Sequence, residues 1–187
     1  MLKFKKILVV LTGSVAVYKS IELLSLLKKK SVYCDVIMTE NSKKFIGEAL
    51  VEAMTDRAPL TSLFDRSKMM DHIYLTRNYD LFLVYPSSAD FISKLANGRS
   101  DCLASATLLA LNYKLPFWIA PAMNPSMFEN PATQENILKL ESWGAHILGP
   151  NVGSMACGDL GKGRVVEPHE VMEKIYIEKN INSLGTN

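Results

Sequence analysis

Residues 121–128 read PAMNPSMF, and one amide, Asn124, stands there between two prolines and two methionines. Proline pins φ at about −65°, so the frame stiffens whatever it encloses. Two readings follow: a turn leaving a strand, with asparagine at a turn position, or a rigid loop that presents one amide to a ligand. Cys157 lies in GSMACGDLGKG, which has four glycines in eleven residues. That composition suits a mobile, exposed lid. Cys34 and Cys102 differ from it, since both sit in apolar elements where a thiol simply packs. His72 follows Asp71 in a polar stretch and, taken alone, reads as a surface histidine. His146 enters a strand and His169 a helix, and both read as structural or exposed. Hydroxyls form the last group: Thr12, Ser14, Thr39, Ser87 and Ser88 each close an apolar run.

These groups need a scaffold, and the hydrophobic pattern describes one. Residues 5–11 (KKILVVL), 31–39 (SVYCDVIMT), 79–86 (YDLFLVYP) and 115–121 (LPFWIAP) read as strands, three of them continuous apolar runs, and 145–150 (AHILGP) as a short fifth. Between them lie helical stretches. Val17, Ile21, Leu24 and Leu27 fall at helical spacing. NSKKFIGEALVEAM is expected as one helix, SSADFISKLANG as another ending at Gly98, and SDCLASATLLALNY as a third capped by Ser100 or Asp101. NPATQENILKLESWG is a helix closed by Gly144, and a last helix starts at Pro168 and frays from about residue 178. Thr55 to Arg77 is polar and irregular. Alternating strands and helices predict an α/β fold: a doubly wound, three-layer parallel sheet, flavodoxin-like or Rossmann-like, as a single domain over 1–187.

In such sheets ligands bind beyond the carboxyl ends of the strands. The rim is then Thr12 to Ser14, Thr39 to Asn41, Pro86 to Ser88, Pro121 to Asn124, and Pro150 onward. The first turn, TGSVA, is neither GxGxxG nor a phosphate loop ending in GK[ST]. Hydroxyls and helix N-terminal amides bind a single phosphate without lysine. A mononucleotide such as FMN therefore suits this rim better than NAD. Arg99 and Lys162 are loop cations that could reach a substrate phosphate.

Composition sets the outer bounds. The chain has 187 residues, 48% hydrophobic and 21% charged, with net charge +2, enough for one domain with a full core. No large basic block is present, so nucleic acid is not the expected partner; KKK at 28–30 reads as the solvated end of a helix. The three cysteines are scattered, without CxxC or metal-ligand spacing. No metal is expected. The start runs straight into a strand and lacks the long apolar core of a signal or spanning segment. A soluble cytoplasmic protein without membrane attachment is expected.

TGSVAVYK, DHIYL, PSSADFISKLANGRSDCL, APAMNPSMFENP and GSMACGDLGKGR, in this order, resemble the homo-oligomeric flavin-containing cysteine decarboxylases over about residues 5–170. The members it looks most like act on 4′-phosphopantothenoylcysteine in coenzyme A biosynthesis. The resemblance implies FMN as cofactor and a trimer, or assembly of trimers, with sites between subunits. It implies that FMN takes a hydride from the carbon bearing sulfur, that the resulting C=S group serves as electron sink for CO₂ loss, and that the hydride then returns to give 4′-phosphopantetheine. His72 takes the place of the family's active-site base and Cys157 that of the acid for the second half-reaction. Asn124 matches the amide that holds the substrate carboxylate, with Met123, Ala156 and Gly158 beside the substrate. Gly13, Ser14, Val15, Thr39, Ser87, Ser88, Ala89 and Ala122 match cofactor-binding positions. Asp90 and Phe128 depart from the family's usual Asn and Trp, and Asp90 suits a helix cap. Two-part members carry a ligase domain that is not expected here. Two alternatives share the resemblance: a peptide C-terminal cysteine decarboxylase, and a non-catalytic FMN-binding regulatory subunit.

Overall fold

The apolar runs form strands because they are short and rich in branched residues, and a sheet covered on both faces buries such adjacent side chains. The computed structural model describes residues 3–64, 71–111, 115–155 and 158–176. In chain order the first elements are β1 (Lys6–Leu11), a 3-10 turn (Val15–Val17), α1 (Tyr18–Lys29) and β2 (Tyr33–Met38). Next come α2 (Glu48–Thr55), α3 (Asp71–Tyr74), β3 (Leu81–Ser87), α4 (Ala89–Ala96), α5 (Leu103–Leu109) and β4 (Phe117–Pro121). The chain continues with α6 (Pro125–Glu129), α7 (Pro131–Ser142), β5 (Ala145–Ile147), β6 (Asn151–Ser154), β7 (Leu160–Arg164) and α8 (Pro168–Tyr176).

Five strands make one parallel sheet in the order β2-β1-β3-β4-β5. Successive residues of a strand face opposite sides, and the core divides accordingly. Ile7, Val9, Leu11, Leu81, Leu83 and Tyr85 pack with Leu23, Leu24 and Leu27 of α1 and Val171 and Ile175 of α8. Leu8, Val10, Phe82 and Val84 pack on the other side with Phe91, Ile92, Leu95, Leu103, Leu108 and Ile137, from α4, α5 and α7. Each fully buried Leu or Ile contributes roughly 2 kcal/mol of burial. This is the expected three-layer α/β domain. Cys34 is buried in it, and burial raises its thiol pKa well above the ordinary range. Among the described residues, no helix is long and apolar enough to cross a membrane.

The strand order decides where the site lies. The chain leaves β1 toward β2 at one edge, then crosses back to place β3 on the other side of β1. The loops after β1 and β3 therefore diverge, and a crevice opens between them at the carboxyl ends of the strands.

Local expectations needed four corrections. The helix expected from Asn41 is two pieces, a 3-10 turn at Ser42–Lys44 and then α2, because Gly47 is extended (φ −80, ψ 151) and restarts the chain as N-cap. α5 is capped by Cys102, not by Ser100 or Asp101; the Ser105 hydroxyl accepts from the Cys102 N–H at 3.3 Å. Asp101 instead pairs with Arg99 at 3.1 Å and Lys94 at 3.4 Å. Asp90 does not cap α4: Ser88 does, accepting from the Phe91 N–H at 3.3 Å. Finally, the polar stretch before Arg77 carries helix α3 and a 3-10 turn, so His72 is helical. The expected frayed tail lies outside the described residues.

Candidate active site

Within the chain, the rim hydroxyls tie the strand ends together. Thr12 Oγ1 donates to the Pro86 carbonyl at 2.8 Å and accepts from the Ser88 N–H at 2.9 Å, tying β1 to β3 across the crevice. Thr39 Oγ1 donates to the Leu11 carbonyl at 3.1 Å and accepts from the Ser42 N–H at 3.3 Å. Ser14 Oγ donates to the Ala122 carbonyl and accepts from the Ala16 N–H, both at 3.3 Å. At strand ends the ladder stops and buried carbonyls need donors, which these side chains supply. Their main product is a rigid rim. Gly13 completes it: a Cβ there would stand 2.5 Å from the Asn41 Cβ, so only glycine lets the first turn pass so near the loop after β2.

Two depressions flank that turn. One, of about 270 Å³, is lined by Ser14, Val15, Ala122, Met123 and Asn124, with Lys19 and Arg164 at its wall. The other, of about 190 Å³, is lined by Gly13, Thr39, Ser88 and Asp90. Ala89 starts α4 next to Ser88. Ser87 is fully buried, and its hydroxyl has no hydrogen-bond partner among the described residues. Such an orphan costs about 1–3 kcal/mol unless something else satisfies it.

Asn124 is not in a free loop. It N-caps α6, with Pro125 at the first helical position, and its Oδ1 accepts from the Ser126 N–H at 2.8 Å. That bond settles the amide's orientation, and Nδ2 faces outward, where it donates to the Asp159 carboxylate. Where the sequence suggests a mobile glycine-rich loop, the described residues on its two sides, Asn151–Ser154 and Leu160–Arg164, pair antiparallel as β6 with β7. β7 docks on the Asn124 loop: the Met123 N–H donates to the Gly163 carbonyl at 3.0 Å. A Cβ at Gly163 would stand 2.2 Å from the Met123 carbonyl oxygen, and one at Gly161 2.9 Å from Pro125, so the glycines serve close packing. Gly158 takes φ +88 in the turn before β7. Ala156 and Cys157 lie outside the described residues.

The cations at the wall are Lys19 and Arg164, which the sequence pattern did not single out. Lys19 Nζ donates to Glu167 Oε1 at 2.7 Å, and Arg164 reaches the same oxygen. The cations expected near a phosphate are elsewhere: Arg99 pairs with Asp101, and Lys162 Nζ lies 5.4 Å from the centre of the Phe128 ring. The Lys19 hydrogen bond, supported by Arg164, holds the Glu167 carboxyl below the ordinary range. A depressed pKa stabilises the fold above the unfolded value, and that stability disappears as pH falls through the folded one. Glu167→Gln is therefore expected to lose about 2 kcal/mol of stability at neutral pH. In denaturant titrations the gap to the parent should close below about pH 4. A gap of equal size in acid would contradict this assignment.

His72 stands apart. With Leu63, Phe64, Ser100 and Leu109 it lines a third depression, of about 380 Å³, which shares no described lining residue with the Asn124 cleft. Its Nδ1 is buried and has no partner among the described residues. Phe64 and Leu109 are exposed beside it. His146 lies in β5 against the Trp118 ring, and His169 in the first turn of α8. One chain thus gathers Ser14, Val15, Ala122, Met123 and Asn124 around one cleft and Gly13, Thr39 and Ser88 around the next, and leaves His72 outside both.

Comparisons with known proteins bear on the family and on the fold. A family model described as Flavoprotein matches residues 1–179. The coenzyme A biosynthesis bifunctional protein CoaBC of Haemophilus influenzae is 40% identical over 169 residues, covering 89% of this chain and 42% of that protein. The chain thus spans about two-fifths of the length of that relative. A probable phosphopantothenoylcysteine decarboxylase of Streptococcus mutans is 35% identical over 173 residues, covering 91% of this chain and 97% of that protein. Among solved structures, a PPC decarboxylase mutant complexed with pantothenoylaminoethenethiol superposes with TM-score 0.79 at 26% identity, covering 91% of this chain and 95% of the other. The FMN binding protein AtHal3 superposes with TM-score 0.78 at 27% identity, covering 91% and 94%.

Proposed function

The chain belongs to the Flavoprotein family, and from that premise we propose that it is an FMN-dependent decarboxylase that converts 4′-phosphopantothenoylcysteine to 4′-phosphopantetheine in coenzyme A biosynthesis. The observation that carries this reading is the Asn124 cleft. It offers one amide held in a fixed orientation, and its charged lining groups among the described residues are the cations Lys19 and Arg164. A substrate with a carboxylate at one end and a phosphate at the other suits such a cleft. The similarity to a decarboxylase over nearly that protein's whole length supports the same reading.

The residues around the first turn fit a flavin mononucleotide. Depressions lie on both sides of a turn that glycine keeps thin, and the orphan Ser87 hydroxyl offers a buried hydrogen-bonding group. Ser14, Val15 and Ala122 would hold it on one side, Gly13, Thr39 and Ser88 on the other, with Ser87 and Ala89 between. When bound, FMN supplies the hydride acceptor and donor that gives CO₂ loss an electron sink at the sulfur-bearing carbon. Asn124, flanked by Met123, holds the substrate carboxylate by hydrogen bonding. An amide is the right group, because a cation would stabilise the charge that must depart as CO₂. His72 takes a proton in the oxidative half, as the general base. Cys157, next to Gly158 and Ala156, returns a proton in the reductive half.

His72 can act on this cleft only if another copy brings it there. A trimer or multiple of trimers, with the exposed Phe64 and Leu109 at the contact, joins the His72 depression of one chain to the Asn124 cleft of its neighbour. The same reading places the enzyme in the cytoplasm.

The direct test is to purify the protein with FMN, measure cofactor per chain, and follow product mass after mixing with phosphopantothenoylcysteine. One FMN per chain and a product lighter by CO₂ alone are expected. Unchanged substrate would refute the activity. A product lacking two further hydrogens would point to the peptide-type reaction instead.

A further inference from the structure

The amide expected to seat a substrate carboxylate already carries one, from the protein itself. Asn124 Oδ1 is committed to the Ser126 N–H at 2.8 Å, so the amide cannot flip, and Nδ2 is its sole donor. Asp159 takes that donor from a position 35 residues along the chain. Its place there is built in. The Gly158 N–H donates to the Met155 carbonyl and the Met155 N–H to the Asp159 carbonyl, both at 2.9 Å, which ties Asp159 to the end of β6. β7 then lies on the Asn124 loop through Gly161 and Gly163, where no Cβ would fit. The hairpin thus carries a carboxylate to the substrate's seat.

We propose that Asp159 is a built-in competitor for the carboxylate seat on Asn124, holding the amide whenever no carboxylate ligand does and yielding it when one arrives. The proposal rests on the reading of Asn124 given above as the group that binds the substrate carboxylate. Nδ2 has two hydrogens, but two ionised carboxylates on one nitrogen stand within a few ångström and repel each other. Displacing Asp159 is feasible because the contact is exposed, and water takes over its hydrogen bonds. The arrangement discriminates among ligands. A carboxylate-bearing substrate must evict Asp159, whereas the decarboxylated product lets Asp159 return to the amide. Asp159 therefore weakens substrate binding selectively and favours the state in which the carboxylate has gone.

The test uses FMN-loaded protein carrying His72→Asn to prevent turnover, with and without Asp159→Ala or the near-isosteric Asp159→Asn. Calorimetry then measures binding of phosphopantothenoylcysteine and of phosphopantetheine, which lacks the carboxylate. Removal of the Asp159 charge should tighten the first ligand about tenfold and change the second by less than about twofold. In a second arm, hydrogen exchange of ligand-free protein should show faster exchange across residues 158–164 in Asp159→Ala than in the parent. Weaker binding of the carboxylate ligand in both variants, equal effects on the two ligands, or unchanged exchange in the hairpin would each overturn the proposal. If the parent binds neither ligand, the substrate reading fails and the competition fails with it. If the parent binds both and Asp159 makes no difference, only the competition is refuted.

Discussion

His72→Asn is expected to reduce CO₂ release about a thousandfold while leaving FMN bound and oxidised. Asparagine keeps the size of the ring's near half but cannot exchange a proton, so the loss isolates proton transfer from packing. The effect should appear before any oxidation of substrate, and the protein should stay yellow on mixing with phosphopantothenoylcysteine. The location of His72 gives the experiment a second part. His72 lines a depression separate from the Asn124 cleft, so the two residues should serve one site from different chains. Asn124→Asp should also be inactive, because it places a carboxylate against the substrate's own. Subunits of the two dead variants, mixed under exchange conditions, should regain roughly a quarter of parental activity, the random-mixing value for a site built from two chains. Mixed oligomers that stay inactive, or a fully active monomer, would refute the shared site.

Cys157→Ser should separate the two halves of the reaction. A thiol has an ordinary pKa of about 8.5, and the serine hydroxyl is a far weaker acid. The variant should consume one equivalent of substrate per site and release CO₂ at close to the parental initial rate. It should then stall, with steady turnover down by at least about a hundredfold. The visible absorbance of the protein should fall on mixing and stay low without oxygen. The product should lack two hydrogens relative to phosphopantetheine. Turnover to phosphopantetheine at the parental rate would remove Cys157 from the mechanism, and the peptide-decarboxylase or regulatory readings would regain support. Together with His72→Asn, which blocks the first half, this variant assigns one proton transfer to each residue.

Much of the scaffold was legible in the residues because its signals are local. A short continuous branched run such as ILVVL suits a strand in a sheet covered on both faces, and the strand–helix alternation then implies parallel strands. The rim positions followed, because loops after strands are where such sheets bind ligands. The misreadings were local as well, where competing signals lay within a few residues. Gly47 outweighed the helical run around it, and Cys102 took the cap that Ser100 and Asp101 also suited. The hydroxyls lie at the strand ends as read, and Thr12 and Thr39 also join neighbouring strands there, since a buried carbonyl at a strand end demands a donor.

What the sequence determined by itself was the α/β class, the turn between β1 and α1, and the presence of one stiffly held amide after β4. Spacing over a few residues encodes those features. Strand order was decided only in the tertiary structure, and with it the crevice between β1 and β3. So were the pairing of Lys19 with Glu167 across 148 residues, the seating of Asp159 on Asn124, and the separation of His72 from the cleft it is proposed to serve. These are contacts between distant segments, and no short-range propensity reports them. They exist because topology rules leave only a handful of strand arrangements for such a sheet, and the one adopted sets which loops meet.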